Sequence, residues 1–194
     1  MVDTTRNTKD RLLDAAQVLI QTRGVNAMSF QDLSDAVGIR KASVHHHFAS
    51  KAEMVCVLTQ RYLSEFDGVL NQILRSRVSG KTKLKRYCNL FVETLKDGQQ
   101  DKGCLCGMLI AEMHSLDDEG LQLVQQFVKS NLDFLQSILT EGVSDGSILK
   151  QASNKGTAHL VLSTLEGGLL IARCGGGPKQ LADTTSRLLS FLSA

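Results

Sequence analysis

The sequence has few of the residues that interrupt helices and no pattern of a disulfide scaffold. Its 194 residues include one proline, no tryptophan and 5% aromatic residues, although 42% are hydrophobic. The five cysteines are an odd, unevenly spaced set, which indicates reduced thiols in a cytosolic protein. No hydrophobic run reaches the ~18 residues of a membrane span, and the polar N-terminus lacks a secretory signal pattern. We therefore expect a soluble, cytoplasmic and mostly helical protein.

The small positive net charge of +2 is confined to the N-terminal quarter of the chain. Residues 1–51 hold seven basic and five acidic side chains, whereas the other 143 residues hold fifteen of each sign. An excess of this size does not prove that the partner is a polyanion. Its position nevertheless makes residues 1–51 the first place to look for a nucleic-acid interface.

Two short helical patterns on either side of a glycine occupy residues 29–51, which read SFQDLSDAVGIRKASVHHHFASK. Ser29 is a favourable N-cap, and Gly38 allows a left-handed backbone where the chain must turn. Ser50 and Glu53 form an S-x-x-E capping box, so a new helix begins directly after Ser50. Helix, glycine turn and helix in this order are typical of a helix-turn-helix.

Hydrophobic residues recur at helical spacing through the rest of the chain, with no strand alternation and no internal repeat. The pattern predicts an all-α fold of about nine helices. The helices predicted outside residues 29–51 are 8–23, 51–77, one around 84–95 closed by Gly98, the apolar segment 101–114, one from a cap at Ser115 to Gly142, 153–174, and a last helix after Pro178.

The N-terminal region resembles the DNA-binding domain of the TetR family of bacterial transcriptional regulators (TetR/AcrR type). The matching positions are Arg11, Ala15-Ala16, Gly24, Met28-Ser29, Asp32-Leu33, Val37-Gly38-Ile39, Lys41-Ala42-Ser43, His47-Phe48 and Ser50-Lys51. The chain departs from the family at Ser34, Val44 and His45, where alanine, leucine and tyrosine are usual. The resemblance implies a three-helix helix-turn-helix domain at 1–51 and a larger helical effector-binding and dimerisation domain at 52–194. The implied function is sequence-specific DNA binding, by a repressor that a small apolar or reactive ligand releases from its operator.

The resemblance also implies which residues touch double-stranded operator DNA, because the third helix of this fold enters the major groove. The expected DNA-binding residues are Ser29, Arg40, Lys41, Ala42, Ser43, His45, His46 and Lys51. Lys41, Ala42 and Ser43 would reach base edges, and Lys51 would hold a phosphate at a helix N-terminus. Arg40 suits either a phosphate or a guanine edge, and Ser29 either caps its helix or reaches a phosphate.

The triplet His45-His46-His47 does not predict a metal site. Consecutive helical residues point about 100° apart, so the three rings cannot converge on one ion. We instead expect His47 to be a packed, hydrogen-bonded core residue. No metal and no cofactor are predicted.

An unknown small-molecule effector is expected to bind within the C-terminal helices. The candidate residues are Tyr62, Phe66, Tyr87, Phe91, Cys104, Met108, Phe127 and Phe134, each of which is otherwise explained as core. None of them is charged, so an apolar or aromatic ligand is the default hypothesis. Cys104 and Cys106 admit three interpretations: buried core residues, a redox- or electrophile-sensitive thiol, and soft ligands for a metal.

The resemblance further implies a homodimer that forms through the last two helices. Gly167 and Gly168 lie in the middle of one of them, where each costs about 1 kcal/mol relative to alanine. Close approach at a dimer seam explains them, and so does a kinked helix. We find no nucleophile–base pair, convergent carboxylates or phosphate loop, and so we predict no enzyme. A helical adaptor that does not bind DNA is the alternative from another class.

Overall fold

The computed structural model describes residues 7–96 and 101–193. Within these ranges the chain is all-α, as predicted, and the only extended pairing is an isolated bridge between Ile148 and Ser193. The helices are α1 (Thr8–Arg23), α2 (Phe30–Val37), α3 (Lys41–His47), α4 (Lys51–Arg75), α5 (Gly80–Glu93), α6 (Leu105–Ala111), α7 (Asp118–Ser144), α8 (Asn154–Ile171) and α9 (Gly177–Leu192). A short 3-10 turn, Met113–Ser115, precedes α7, and a π turn, Ala172–Gly176, joins α8 to α9.

The chain divides into two compact units. The first comprises residues 1–64 and 105–125, and the second comprises residues 65–104 and 126–194. The division falls inside α4 and inside α7, so each of these two long helices contributes to both units. None of the described helices combines the length and the apolar character needed to cross a membrane.

The first unit has one hydrophobic core that holds the three N-terminal helices together. Side chains from α1 to α4 form it together with residues of α6 and the start of α7; among them are Leu12, Ile20, Leu33, Val44, Phe48, Met54, Leu58, Leu105, Leu109 and Val124. Helix α6 packs against α1. The apolar segment 101–114 thus contributes Leu105 and Leu109 to this core, whereas Ile110 and Met113 within it are exposed.

The serine cap predicted at Ser29 is present, and other serines cap later helices in the same way. Ser29, Ser79 and Ser153 each accept a hydrogen bond from the backbone of the first turn of α2, α5 and α8. The prediction that Ser115 caps α7 is wrong, because Ser115 belongs to the preceding 3-10 turn. Asp117 is the residue whose carboxylate accepts from the Gly120 N–H, at 2.8 Å.

Two glycines allow α5 and α7 to cross in the second unit. A Cβ atom on Gly80 would overlap the backbone of Gly142 and lie 2.8 Å from the Ile138 carbonyl oxygen, and one on Gly142 would overlap Ile148. Gly142 was expected to end α7, but the helix continues to Ser144. Gly142 therefore allows Gly80 and Ile148 to pack closely against its backbone. Helix α7 ends two residues after it, at Ser144.

The other predicted bounds differ from the structure by a few residues. Helix α4 ends at Arg75 instead of Arg77, and α8 passes into the π turn after Ile171. The backbone at Gly175 has φ 131°, which breaks the path between α8 and α9 near the expected glycine-proline break. Gly98, the expected stop of α5, lies outside the described residues.

Candidate nucleic-acid interface and effector site

The turn between α2 and α3 is closed by three hydrogen bonds to Ser34 or from it. Gly38 has φ 72° and ψ 38°, which turns the backbone so that the N–H groups of Gly38 and Ile39 both donate to the Ser34 carbonyl, at 2.9 and 3.1 Å. The Ser34 hydroxyl donates to the Ile39 carbonyl oxygen at 2.6 Å. The serine thus adds a connection across the turn that alanine, usual at this position, cannot make.

Arg11 fixes the same turn from α1. Its guanidinium donates to the Val37 carbonyl oxygen at 2.8 Å, at the C-terminal end of α2. A cation is favourable there because the helix dipole places partial negative charge on the last carbonyl groups. The angle between α2 and α3 is therefore held by α1 as well as by the turn itself.

Helix α3 has one buried and one exposed face. Val44 is fully buried, and Phe48, which follows the helix, is 1% exposed. The exposed side chains are those of Arg40, Lys41, Ala42, Ser43, His45 and His46. The His45 ring meets the Phe30 ring edge-on at 4.9 Å, so α2 supports this histidine. Helix α3 therefore presents a row of cationic and polar groups outward on a fixed support.

His47 does not match the expectation of a core histidine. It is half-buried, and its ring lies 5.5 Å from that of His46 in an edge-on arrangement. The core contacts of this helix come from Val44 and Phe48 instead. Position 47 follows the last buried residue of α3 by three positions and lies at the margin of the buried face.

Ser29 caps α2 with a hydroxyl group that both accepts and donates a hydrogen bond within the cap. Its hydroxyl accepts from the Asp32 N–H at 3.3 Å and donates to the Asp32 carboxylate at 2.5 Å. The Ser29 N–H donates to the same carboxylate at 2.8 Å, and these bonds lower the pKa of Asp32. The Ser29 hydroxyl is therefore engaged in a complete capping box.

The Lys51 side chain turns inward toward the loop between α1 and α2. Its ammonium group donates to the carbonyl oxygens of Val25 and Met28, at 2.9 and 3.0 Å. The carboxylate of Glu112 accepts from the N–H groups of Val25 and Asn26 in the same loop, the latter at 3.1 Å. This ammonium is thus part of the fold, whereas the sequence suggested a phosphate contact.

The expected effector residues fall into two groups. Tyr62 and Met108 lie at the edge of the first unit's core. Phe66, Tyr87, Phe91, Cys104, Phe127 and Phe134 belong to the second unit. Their rings form two clusters: Tyr87 lies 5.5 Å from Phe91 and 5.3 Å from Phe134, and Phe66 lies 5.4 Å from Phe127.

Two polar residues that sequence reasoning missed accompany these rings. The Tyr87 hydroxyl donates to the side-chain oxygen of buried Asn131 at 2.6 Å, and the Asn131 amide donates to the Phe127 carbonyl at 2.8 Å. Glu166 of α8 accepts a hydrogen bond from the Cys104 thiol, and burial raises the pKa of its carboxyl group to about 7. In the sequence, a glutamate beside two glycines gives no signal of burial.

Cys56, Cys88, Cys104 and Cys106 are buried, and Cys174 is exposed. Cys104 belongs to the second unit and Cys106 to the first, and they are 6% and 0% exposed. Burial raises the pKa of Cys88 to about 12, and burial together with the Asp117 carboxylate raises that of Cys56 to about 11. No group of three or more His, Cys, Asp or Glu side chains in the described ranges is arranged to hold a metal ion.

The braced turn and the outward face of α3 define a helix-turn-helix DNA-binding protein. A family model for bacterial regulatory proteins of the tetR family matches residues 12–56, and one for the tetracyclin repressor-like C-terminal domain matches residues 80–188. The chain belongs to the TetR family, and it is a DNA-binding transcriptional regulator.

Individual relatives match most of the chain. An uncharacterised HTH-type transcriptional regulator of Lactococcus lactis is 26% identical over 87% of this chain and 84% of its own length. The HTH-type transcriptional repressor KstR2 of Rhodococcus jostii is 26% identical over 72% of this chain and 67% of its own. The crystal structure of a TetR-family regulator from Agrobacterium tumefaciens has 28% identity and a TM-score of 0.91, and the alignment covers 96% of this chain and 98% of that one.

Proposed function

We propose that this protein is a repressor that binds operator DNA as a homodimer and leaves it when a small-molecule effector binds to the second unit. The outward face of α3 carries the proposal, because a rigid support with a cationic and polar row is what groove reading requires. The relative KstR2 is named a transcriptional repressor, which supports repression here. In this proposal residues 1–51 form the DNA-binding domain, and residues 52–194 bind the effector and form the dimer.

Base contacts come from the start of α3 in this proposal. Lys41 and Ser43 offer donors to base edges, and the Ala42 methyl group offers an apolar contact to a thymine methyl. Arg40 precedes the helix, where its guanidinium can reach a phosphate or a guanine edge. His45 and His46 follow along the groove and the DNA backbone.

The group at α4 that contacts a phosphate in this proposal is not the Lys51 ammonium that the sequence suggested. The Lys51 ammonium is bonded to two loop carbonyls. We therefore assign the phosphate to the first-turn backbone N–H groups at the α4 N-terminus, where the helix dipole places partial positive charge. Ser29 is assigned to its cap alone.

The dimer forms through α8 and α9 in this proposal. Ile171 and Phe191 are 61% and 63% exposed, and Leu160 and Leu170 are exposed as well. A groove of about 330 Å³ runs between the two helices and includes Gly167 and Gly168. Exposed apolar side chains beside a groove suit a second copy of the same surface. Ile171→Asp should yield monomers by light scattering, and Leu149→Asp, at an exposed leucine outside these helices, should not.

Effector binding and DNA release are linked by a population shift in this proposal. Helices α4 and α7 each contribute to both units. A ligand that prefers one arrangement of the second unit therefore changes the population that fits DNA. The Tyr87–Phe91–Phe134 cluster, with Asn131 and Glu166 beside it, is the proposed binding region.

A gel shift with the DNA upstream of the protein's own gene tests the proposal. Wild type should retard this DNA with strong salt dependence, because phosphate contacts release counterions. Lys41→Ala combined with Ser43→Ala should abolish the specific shift. Lys85→Ala removes an exposed lysine of α5 and should leave the shift unchanged. Equal behaviour of the two variants would contradict the assignment to α3.

A thiol-responsive regulator is the second candidate, and the hydrogen bond from Cys104 to Glu166 favours it. A carboxylate beside a thiol can take up the thiol proton as an electrophile approaches. Cys104→Ser should then lose the response of DNA binding to electrophiles, whereas Cys174→Ser, at an exposed cysteine, should keep it. If Cys104→Ser responds like wild type, this candidate fails.

A further inference from the structure

The lysine and arginine side chains of the helix-turn-helix domain differ in whether the fold already uses their charge. The Arg11 guanidinium donates to the Val37 carbonyl oxygen, and the Lys51 ammonium donates to two loop carbonyls. Both groups therefore hold the domain together. Arg40 and Lys41 are exposed at the start of α3 and belong to the contacts proposed above.

Of the lysines and arginines that the structure describes in this domain, two remain, one in each end turn of α1. Arg23 lies in the last turn, where a cation stabilises the helix dipole. Lys9 is the second residue of α1, where the dipole makes a cation unfavourable. Lys9 is exposed, and within the described residues its ammonium forms no ion pair. The stability of α1 therefore does not explain a positive charge at this position.

The Lys9 side chain lies at the junction between α3 and α4. Its ammonium is over the Phe48 ring, 5.5 Å from the centroid. Phe48 is the C-cap of α3 and is 1% exposed, and α4 begins three residues later at Lys51. Because the ring is neutral, the contact holds the ammonium in place without cancelling its charge. A full positive charge is thus fixed beside the end of α3.

The length of α3 places this junction near the DNA backbone. The helix has seven residues, so it is about 10 Å long, close to the ~12 Å width of the major groove. With the first residues of α3 at the base edges, the residues that follow its last turn reach the margin of the groove, where the phosphates lie. A lysine ammonium and a phosphate form a charge-assisted hydrogen bond, which is stronger than one between neutral groups.

We propose that Lys9 is a phosphate-binding residue of this regulator, and that its ammonium contacts the DNA backbone beside the α3–α4 junction. This inference rests on the proposed function. It supplies a charged side chain from α1 next to the backbone N–H groups at the start of α4, where the Lys51 ammonium is turned inward. The contact positions the protein on DNA and carries no sequence information, because every base pair presents the same phosphates.

Lys9→Met and Lys9→Arg test this inference in the full-length protein. Methionine keeps an unbranched apolar side chain beside the Phe48 ring and removes the charge, whereas arginine keeps the charge. Binding to DNA from upstream of the gene, and to a scrambled duplex of the same length, is measured by fluorescence anisotropy at several KCl concentrations. In Lys9→Met the slope of log K against log [salt] should be shallower by about 0.9 per lost contact, or about 2 for a dimer.

Two variants serve as controls for this slope. Lys9→Arg should keep the wild-type slope, because it keeps the charge. Lys85→Met removes an exposed lysine of α5 and should also keep it. In Lys9→Met the affinities for the two duplexes should fall by the same factor, so that the specificity ratio stays that of wild type.

Three results would overturn the inference. These are a wild-type slope in Lys9→Met, an equally shallow slope in Lys9→Arg, and a changed specificity ratio in Lys9→Met, which would indicate a base contact instead. A lower melting temperature of Lys9→Met with a wild-type slope would show that Lys9 only supports Phe48. Equal binding of wild type to the two duplexes would instead contradict the proposed function, while the slopes would still decide the role of Lys9.

Discussion

Lys51 and Glu112 hold Val25 at opposite ends of its backbone. The lysine ammonium donates to the Val25 carbonyl oxygen at 2.9 Å, and the glutamate carboxylate accepts from the Val25 N–H. Glu112 lies 87 residues further along the chain. The loop that leads into the helix-turn-helix is thus fixed by a residue from the segment after α6. A displacement of that segment would break or strain the hydrogen bond to the Val25 N–H.

Substitution of Lys51 distinguishes a role in stabilising the fold from a role in contacting DNA. Lys51→Met removes two charge-assisted hydrogen bonds from the loop, so the free energy of unfolding should fall by about 1–3 kcal/mol. The salt dependence of DNA binding should stay that of wild type if the ammonium keeps its bonds to the loop carbonyls when DNA is bound. Chemical denaturation and binding titrations at several salt concentrations measure both. A shallower salt slope with unchanged stability would instead assign the ammonium to a phosphate.

Glu112 should have a comparable effect although it lies far from α3. Glu112→Ala leaves the N–H groups of Val25 and Asn26 without their acceptor, and we expect a loss of about 1–3 kcal/mol in stability. Weaker DNA binding should accompany it because the loop is no longer fixed. Glu93→Ala breaks only an exposed pair with Lys96 and should stay within about 0.5 kcal/mol of wild type. Equal melting temperatures for the two variants would show that the Glu112 contacts contribute nothing.

The crossing of α5 and α7 makes two glycines intolerant of a methyl group. Gly80→Ala and Gly142→Ala should each destabilise the protein by about 1–3 kcal/mol or more, because the added Cβ meets backbone or packed side-chain atoms. Gly68→Ala is the matched control, since a Cβ there meets nothing within 4 Å in α4. It should raise stability by up to about 1 kcal/mol through helix propensity. Thermal unfolding of the three variants measures these changes in stability. A Gly80→Ala variant as stable as wild type would contradict the close crossing of α5 and α7.

Glu166 should make stability depend on pH. The folded pKa of about 7 is above the ordinary value of 4.5, so the folded protein binds this proton more tightly than the unfolded chain does. Stability should therefore fall as pH rises from about 4.5 to 7, by at most about 3 kcal/mol. Tyr87 interacts electrostatically with Glu166, and burial raises the pKa of Tyr87 well above its ordinary value, so it stays neutral in this range.

The measurement is the difference in unfolding free energy between Glu166→Gln and wild type. Relative to its value near pH 4.5, this difference should increase in favour of the variant up to pH 8. Glu93→Gln should show a nearly constant difference over the same range. Parallel curves for wild type and Glu166→Gln would mean that the carboxyl group is solvated in the folded protein.

Local signals in the sequence were sufficient for most of the fold. The start of α2 follows from capping at Ser29, and that of α4 from Ser50, whose hydroxyl accepts from the Glu53 N–H at 3.1 Å. The turn at Gly38 follows from its backbone freedom. Each of these features depends on residues within a few positions. The register of the helix-turn-helix and its exposed face could therefore be predicted.

What the sequence could not predict depends on partners distant along the chain. The Lys51 ammonium bonds to carbonyls more than twenty residues away, and Gly80 is explained by the backbone of Gly142 in helix α7. Glu166 resembles any surface glutamate of a helix until its neighbours are known. Long-range packing decides such side chains, and no local pattern encodes it.

Binding of α3 to a specific operator is the central claim, and a competition experiment tests it most directly. Labelled DNA from upstream of the gene is bound to the protein and challenged with unlabelled DNA of the same or of scrambled sequence. We expect wild type to prefer its own sequence by at least about 10³-fold. Lys41→Ala with Ser43→Ala should reduce that ratio strongly while weak, salt-dependent binding persists. A ratio near one for wild type, or an unchanged ratio for the variant, would contradict sequence reading by α3.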